Sequence, residues 1–180
     1  MKRNQPADLL LGEWACLGVL YPAPMHGFAV AALLAPDASI GRVWSLSRPL
    51  TYRSLDQLEA RRFIAPIARV PGSAGPNRLV LAATRAGRSR LLAWARDPVE
   101  HLRDLRSELL LKLVLAKHCG IDVDTMLVAQ LEHTRRLAEA LASGAAAGDE
   151  HDPVMLWRSE SANAAVRFLE RLQQPAAAQP

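Results

Sequence analysis

The chain has 180 residues, of which 50% are hydrophobic and 5% aromatic, with 22 Lys or Arg against 18 Asp or Glu. This length allows one domain with an extension or two small domains, and the apolar content supports a core without disulfides. No apolar run approaches the length of a membrane span, and no signal-peptide cleavage site follows the amino-terminal stretch. We therefore expect a cytoplasmic protein that does not bind membranes.

The charge is unevenly distributed along the chain. Residues 1–97 contain 13 Lys or Arg and 6 Asp or Glu, whereas residues 98–180 contain 9 and 12. A basic first half favours a polyanionic partner, although many proteins have one by chance. Cys16 and Cys119 form no CxxC pair, so we expect reduced core thiols and no disulfide or metal site.

Two short helices are predicted first. One spans residues 9–20 with Asp8 as its N-cap, and ends at the prolines and glycine of YPAPMHG. The other spans residues 26–34. His26 is a candidate for a phosphate or ligand contact, but we favour a capping or turn histidine because that role is commoner.

The segment WSLSRPLTYRSLDQLEARRFI, residues 44–64, predicts a helix, a turn and the start of a strand. Ser47 is a candidate N-cap, and Pro49 is tolerated in the first turn because its missing N–H would have no partner there. At the helical repeat, the side expected to face a core carries Thr51, Leu55 and Leu58.

The opposite side of this helix carries Leu50, Arg53, Gln57 and Ala60. Arg can donate two hydrogen bonds to guanine, Gln can bond adenine, and an apolar side chain can contact a thymine methyl. These are the residue types that a helix needs in a DNA major groove. The alternative is a solvated face that carries Arg and Gln by chance, and the neighbouring elements favour the first interpretation.

The alternating run over residues 64–70, the turn-like PGSAGPN and the apolar RLVLAAT predict a β-hairpin. Three helices followed by a hairpin is the element order of a winged helix, whose third helix enters the major groove. Arg48, Arg69 and Arg78 are candidates for phosphate contacts. Solvation of an exposed hairpin explains the last two equally well. Thr84 is expected to cap a helix that ends before Pro98.

The chain resembles the PadR-like family of bacterial transcriptional regulators. The matching segments are LGVL, MHGFAV, VWSLSRPLTYRSLDQLEARRFIAP and ATRAGRSRLLAWARDPV, in the family's order and at about its spacing. SELLLKLVLAKHCG and VMLWRSESANAAVRFLERL resemble the carboxyl-terminal part of longer members. The resemblance implies a homodimeric winged-helix repressor of a near-palindromic operator in double-stranded DNA. We also expect Tyr52, the central tyrosine of the pattern, to contact DNA.

Two positions depart from the family's pattern. The family has Thr-Leu-Tyr where this chain has Leu50-Thr51-Tyr52, which should direct an apolar residue toward the groove and a polar one toward the core. The family ends this helix with a glycine, whereas this chain has Arg62, which is expected to adopt the turn conformation at modest cost. The first departure affects the DNA sequence that is bound more than DNA binding itself.

The second half predicts amphipathic helices over residues 100–119, from Asp122 or Asp124 onward, and over residues 154–172. Gly120 stands where a helix C-terminus favours glycine. The last helix should carry one apolar side, formed by Trp157, Ala164, Phe168 and Leu172. Together these helices have more apolar surface than one small module can bury, so we expect a C2 dimer. The alternative is a monomer whose carboxyl-terminal helices fold back on the basic half.

The sequence thus predicts a mostly α protein with a small β-hairpin. A winged helix-turn-helix domain would span residues 1–97 and a helical dimerisation domain residues 98–174. Residues 143–152 have the composition of a flexible linker, and residues 175–180 are expected to be disordered.

A small aromatic effector is a further candidate partner. Trp14, Trp94 and Trp157 could line its pocket, although tryptophans are more often core or interface residues. The family includes regulators that sense such compounds. Residues 1–180 show no phosphate loop, HExxH or nucleophile elbow, so we expect no enzyme activity, cofactor or metal. A protein-interaction adaptor on a winged-helix scaffold is the alternative function.

Overall fold

A computed structural model describes residues 9–71, 78–147 and 152–174, with side chains of residues 144–147 excepted. The helices are α1 (Leu11–Val19), α2 (Gly27–Leu33), α3 (Arg48–Ala60), α4 (Arg85–Ala95), α5 (Leu110–Cys119), α6 (Asp124–Ala147) and α7 (Pro153–Gln173). The strands are β1 (Met25–His26), β2 (Ile64–Val70) and β3 (Arg78–Ala83). The predicted class, mostly α with a small β element, is confirmed.

The chain divides into two compact units, Met1–Ala95 with Leu110–Ile121, and Arg96–Leu109 with Asp122–Pro180. The expected boundary at residue 97 therefore differs, because α5 belongs to the first unit. Leu115 of α5 is fully buried. Its methyl groups stand 2.6 and 2.7 Å from where a β-carbon on Gly18 would lie, so the missing side chain lets α5 approach α1 closely.

The first unit contains three antiparallel strands in the order β1-β3-β2. The predicted hairpin is present as β2 and β3, and its tip, residues 72–77, lies outside the described residues. β1 was not expected: His26 pairs with Val80 and Met25 with Leu81. Two residues carry too little periodicity to predict a strand, and only the neighbouring β3 makes this segment one.

Arg62 adopts the turn conformation that was expected of it at the end of α3. Arg62 has φ of 60°, in the left-handed region. Its N–H bonds the carbonyl of Glu59 at 2.8 Å, and the N–H of Phe63 bonds that of Leu58 at 2.9 Å. This pair of bonds is the Schellman ending of a helix, which satisfies two carbonyls that the helix leaves open.

Two predicted helix starts are changed by the structure. α1 begins at Leu11 with Leu10 as its N-cap, while the expected cap, Asp8, lies outside the described residues. The carboxylate of Glu13 accepts the Leu10 N–H at 2.9 Å. The helix expected over residues 100–119 begins instead as a 3-10 turn (Leu102–Asp104) and a π turn (Leu105–Leu109) before α5.

The end of α5 was predicted correctly. Gly120 follows its last residue with φ of +64°. The N–H of Ile121 bonds the carbonyl of Ala116 at 2.9 Å, and the Ile121 side chain is buried. The left-handed residue that closes this helix is thus the one whose missing β-carbon removes the steric cost.

The second unit contains α6 and α7. Asp122 accepts the N–H of Asp124 at 2.9 Å at the start of α6, and Asp152 accepts that of Val154 at 2.9 Å at the start of α7. Residues 143–147, which were expected to be part of a flexible linker, instead continue α6. Residues 148–151 and the expected disordered tail, 175–180, lie outside the described residues.

The second unit also has a polar contact in its interior. Gln130 of α6 is fully buried. Its amide oxygen accepts the N–H of Val99 at 2.6 Å, and its amide nitrogen donates to the carbonyl of the same residue at 3.0 Å. A buried amide that satisfies both backbone groups of one residue ties residue 99 to α6.

None of the helices in the described part of the chain combines the length and the hydrophobicity that crossing a membrane requires.

Candidate nucleic-acid interface

The two sides of α3 differ in burial as the helical repeat predicts. Thr51, Leu55 and Leu58 are buried. The opposite side is exposed and carries Leu50, Arg53, Gln57 and Ala60. The structure thus brings the three candidate base-contacting side chains onto one solvent-facing surface, which we call the α3 face (Leu50, Arg53 and Gln57).

The exchange of Leu50 and Thr51 has the expected result. Thr51 is fully buried, and its hydroxyl donates to the carbonyl of Ser47 at 3.1 Å, so the polar group costs little in the core. Leu50 is 49% exposed. Ser47 is the N-cap residue as predicted, although its side chain makes no capping bond.

Tyr52 lies at the margin between the two sides. It is 47% exposed, and its Cε1 atom is 2.8 Å from where a β-carbon on Gly27 would lie. The ring therefore packs directly over the backbone of α2 while one part of it faces solvent. Because Gly27 has no side chain, it permits this close contact between α2 and α3.

The carboxyl-terminal end of α3 is tied to α1 by an ion pair. A guanidinium nitrogen of Arg61 lies 3.6 Å from a carboxylate oxygen of Glu13, whose side chain is 4% exposed. The same oxygen accepts the Leu10 N–H. A carboxylate that is buried, ion-paired and hydrogen-bonded holds the end of α3 in place, because losing either partner would leave it poorly solvated.

Two of the three candidate phosphate contacts converge on one aromatic ring. The guanidinium carbon of Arg48 lies 4.8 Å from the centroid of Phe28, and that of Arg78 lies 5.8 Å from it. These distances are those of cation–π contacts. Arg48 begins α3 and Arg78 begins β3, so the fold brings both cations to the edge of the α3 face.

Arg69 lies elsewhere on the hairpin. Arg69 is opposite Leu79, whereas Arg78 is opposite Val70. Because opposed residues share a face and successive residues alternate, Arg69 and Arg78 lie on opposite faces of the hairpin. The three arginines therefore do not form a single cluster, and any contact that Arg69 makes is separate from that of the other two.

His26 has the capping role that we favoured. Its Nδ1 accepts the N–H of Ala29 at 3.0 Å, at the first turn of α2. Phe28 was not predicted as a site residue. Its signal was weak: an aromatic residue in a short apolar helix usually indicates a core position, and only the structure shows that it is 46% exposed.

Two candidate ligand-binding tryptophans pack against each other. The rings of Trp14 and Trp94 are stacked with centroids 4.6 Å apart and an interplanar angle of 8°. Arg90 lies 5.8 Å from the Trp14 centroid, and Lys112 lies 5.1 Å from that of Trp94. Both rings are almost fully buried. Each ring covers the face of the other that a ligand would otherwise contact.

Trp157 has a different environment. It belongs to α7, in the second unit, and is 73% exposed. Four further large apolar residues of α7 are also exposed, namely Val154, Leu156, Phe168 and Leu172. The buried side of α7 contains Ala162 and Leu169. The predicted apolar side of this helix therefore exists and faces outward.

Both cysteines are free. Burial raises the pKa of the Cys16 and Cys119 thiols to about 12 in each case. Such thiols are neutral and poorly reactive at physiological pH. Within residues 9–71, 78–147 and 152–174, no group of three or more His, Cys, Asp or Glu residues could hold a metal ion.

Neither a family model nor a curated protein matches the chain. Among solved structures, it is similar to Bacillus subtilis PadR in complex with operator DNA, with 16% identity, a TM-score of 0.46, and 90% of this chain and 97% of that chain covered. The same protein in complex with p-coumaric acid gives 17% identity, a TM-score of 0.45, and coverage of 91% and 96%.

The PadR-like transcriptional regulator BC1756 from Bacillus cereus gives 19% identity, a TM-score of 0.43, and coverage of 94% of this chain and 97% of that chain. These structures belong to the family that the sequence segments resemble.

Proposed function

We propose that this protein is a sequence-specific regulator of transcription that inserts α3 into the major groove of double-stranded DNA. The observation that carries the proposal is the α3 face, where an apolar, a guanidinium and an amide side chain are exposed together on a helix whose other side is buried. Arg53 and Gln57 would bond purine edges, and Leu50 would contact a thymine methyl.

The surroundings of α3 supply the charge that DNA binding requires. Arg48 and Arg78 stand beside its first turn, and Arg69 is exposed on the hairpin. Contacts from these arginines to phosphates would fix the register of α3 on the duplex without reading its sequence. Tyr52, exposed at the margin of the face, would make a further contact.

We propose further that the protein is a homodimer that pairs through α7. The exposed Val154, Trp157 and Phe168 recur at a spacing that places them along one side of the helix. Exposed apolar stripes of this kind are unfavourable in water and typical of interaction surfaces. A twofold dimer would also present two α3 helices to two half-sites of a near-palindromic operator.

Repression would follow from occupation of the operator, and an effector would relieve it by changing the spacing between the two α3 helices. A small aromatic compound is the effector class that the resemblance implies. Trp157 offers such a compound an exposed ring, whereas Trp14 and Trp94 would first have to separate. The proposal implies a non-enzymatic protein of the bacterial cytoplasm, where the chromosome lies.

The deciding experiment measures the affinity of the purified protein for its own upstream DNA and for a shuffled duplex of equal length, at two salt concentrations. The proposal predicts tight, salt-sensitive binding that prefers the native fragment. If both fragments bind weakly, selection from random-sequence DNA follows. Enrichment of a palindromic site would support the proposal, and no enrichment would favour the adaptor function instead.

A further inference from the structure

The Phe28 ring has no role in the α3 face and yet is held at the surface. Phe28 is the second residue of α2, whose Val30 and Ala31 are buried. The ring is 46% exposed. The first turn of α2 is fixed by the bond between His26 Nδ1 and the Ala29 N–H, so the ring is presented from a constrained backbone.

Two positive charges share this one ring. The Arg48 and Arg78 guanidinium carbons lie 4.8 and 5.8 Å from its centroid. Like charges repel, and the negative face of an aromatic ring partly offsets that cost by attracting each cation. The arginines come from α3 and β3, which are far apart in sequence, and the ring is an element that both guanidiniums contact.

We infer that Phe28 is a positioning residue for a two-arginine phosphate clamp, and this inference rests on the proposed DNA-binding function. The ring has no hydrogen-bond donor to offer a phosphate. The guanidiniums do, and each presents N–H groups in a planar fork that matches phosphate oxygens. A ring that restricts both forks reduces the rotamer entropy that they would lose on binding.

The test compares Phe28→Leu, which removes the ring and keeps apolar bulk, with Phe28→Tyr, which keeps the ring. Phe28→Leu should weaken binding of native and shuffled duplexes alike, by about 5- to 30-fold, the equivalent of two exposed cation–π contacts. Phe28→Tyr should bind within about twofold of the wild type. Equal thermal stability of the two variants excludes misfolding as the cause.

A double-mutant cycle separates positioning from direct contact. In a chain that already carries Arg48→Ala and Arg78→Ala, Phe28→Leu should cause no further loss of affinity. An additional loss of the same size would mean that Phe28 contacts DNA itself, and would overturn the inference. Loss of preference for the native fragment alone would overturn it as well.

A measurement without DNA keeps this inference distinct from the proposed function. In the free protein, the ring current of Phe28 should displace the NMR signals of the Arg48 and Arg78 side chains. Inorganic tripolyphosphate should shift both signals in the wild type and in Phe28→Tyr at concentrations about 5- to 30-fold lower than Phe28→Leu requires. Failure of all duplexes to bind would reject the proposed function, and unresponsive arginine signals would reject the clamp.

Discussion

Helices α3 and α7 both turn one side to solvent, and the two exposed sides have opposite character. The exposed side of α3 carries Arg53 and Gln57 with one large aliphatic residue, Leu50, whereas that of α7 carries Trp157 and Phe168 with three further large apolar residues. A polar exposed side is the ordinary condition of a surface helix. It becomes informative only through its neighbours, here the arginines that stand beside the Phe28 ring.

An apolar exposed side is informative by itself. Water disfavours exposed tryptophan, phenylalanine and leucine side chains, so a helix that keeps them along one side indicates that another surface covers them. α3 thus presents specific hydrogen-bonding groups, whereas α7 presents apolar contact area. Substitutions on the two surfaces should therefore affect different properties of the protein.

The largest expected effect comes from the buried side of α3. Leu58→Ala removes a fully buried side chain and should lower the free energy of unfolding by about 2–5 kcal/mol, since it leaves a cavity in the core. Urea unfolding followed by circular dichroism measures it. Gln57→Ala, on the exposed side of the same helix, is the matched control and should change stability by less than about 0.5 kcal/mol. Equal losses from the two variants would contradict the assigned sides.

The next effect concerns the outward side of α7. Trp157→Asp with Phe168→Asp should weaken self-association by at least about 2 kcal/mol, because central aromatic residues dominate interfaces. Sedimentation velocity over a concentration series would show monomers where the wild type is dimeric. Glu160→Gln, at another exposed position of α7, is the control and should remain dimeric. A wild type that is monomeric at every concentration would rule out pairing through α7.

Arg53→Ala tests the α3 face with a smaller change. It should cost about 1–3 kcal/mol of affinity at one base position, and relax the preference there, because one bidentate contact is lost. Binding to a set of single-base operator variants measures this. Arg103→Ala, which removes an exposed arginine of the second unit, should leave the pattern unchanged. A uniform loss across all operator variants would assign Arg53 to phosphate contact instead.

The smallest effect concerns pH. Burial raises the Cys16 pKa from 9.0 to about 12. Between these values the unfolded chain releases the thiol proton and the folded chain keeps it, so this group lowers stability as the pH rises from about 9 to 12. The thiol lies against the buried side of α3, since Cys16 Sγ is 4.0 Å from the Thr51 carbonyl.

Cys16→Ala should therefore show a shallower loss of unfolding free energy across this pH range than the wild type, in thermal melts at about pH 9 and pH 11. The thiol should also react with iodoacetamide only after denaturant is added. Rapid labelling in buffer would mean that the contact between α1 and α3 opens readily. Cys119→Ala separates the contribution of the second buried thiol.

Features set by neighbouring residues were predictable from the sequence. The two sides of α3 follow from a 3.6-residue repeat, and Arg62 and Gly120 close helices through bonds that span six residues or fewer. The capping bond of His26 spans four residues. Each of these features depends on local spacing, and spacing is what a sequence displays.

Features set by distant contacts were decided by the tertiary structure. β1 is a strand only because β3 pairs with it, and α5 belongs to the first unit because Leu115 packs against Gly18. The Trp14 and Trp94 stack and the Arg48 and Arg78 contacts on Phe28 join residues separated by at least 20 positions. Periodicity reports which side of an element is apolar. Which surface covers that side depends on how the elements pack, because burial is a property of the folded chain as a whole.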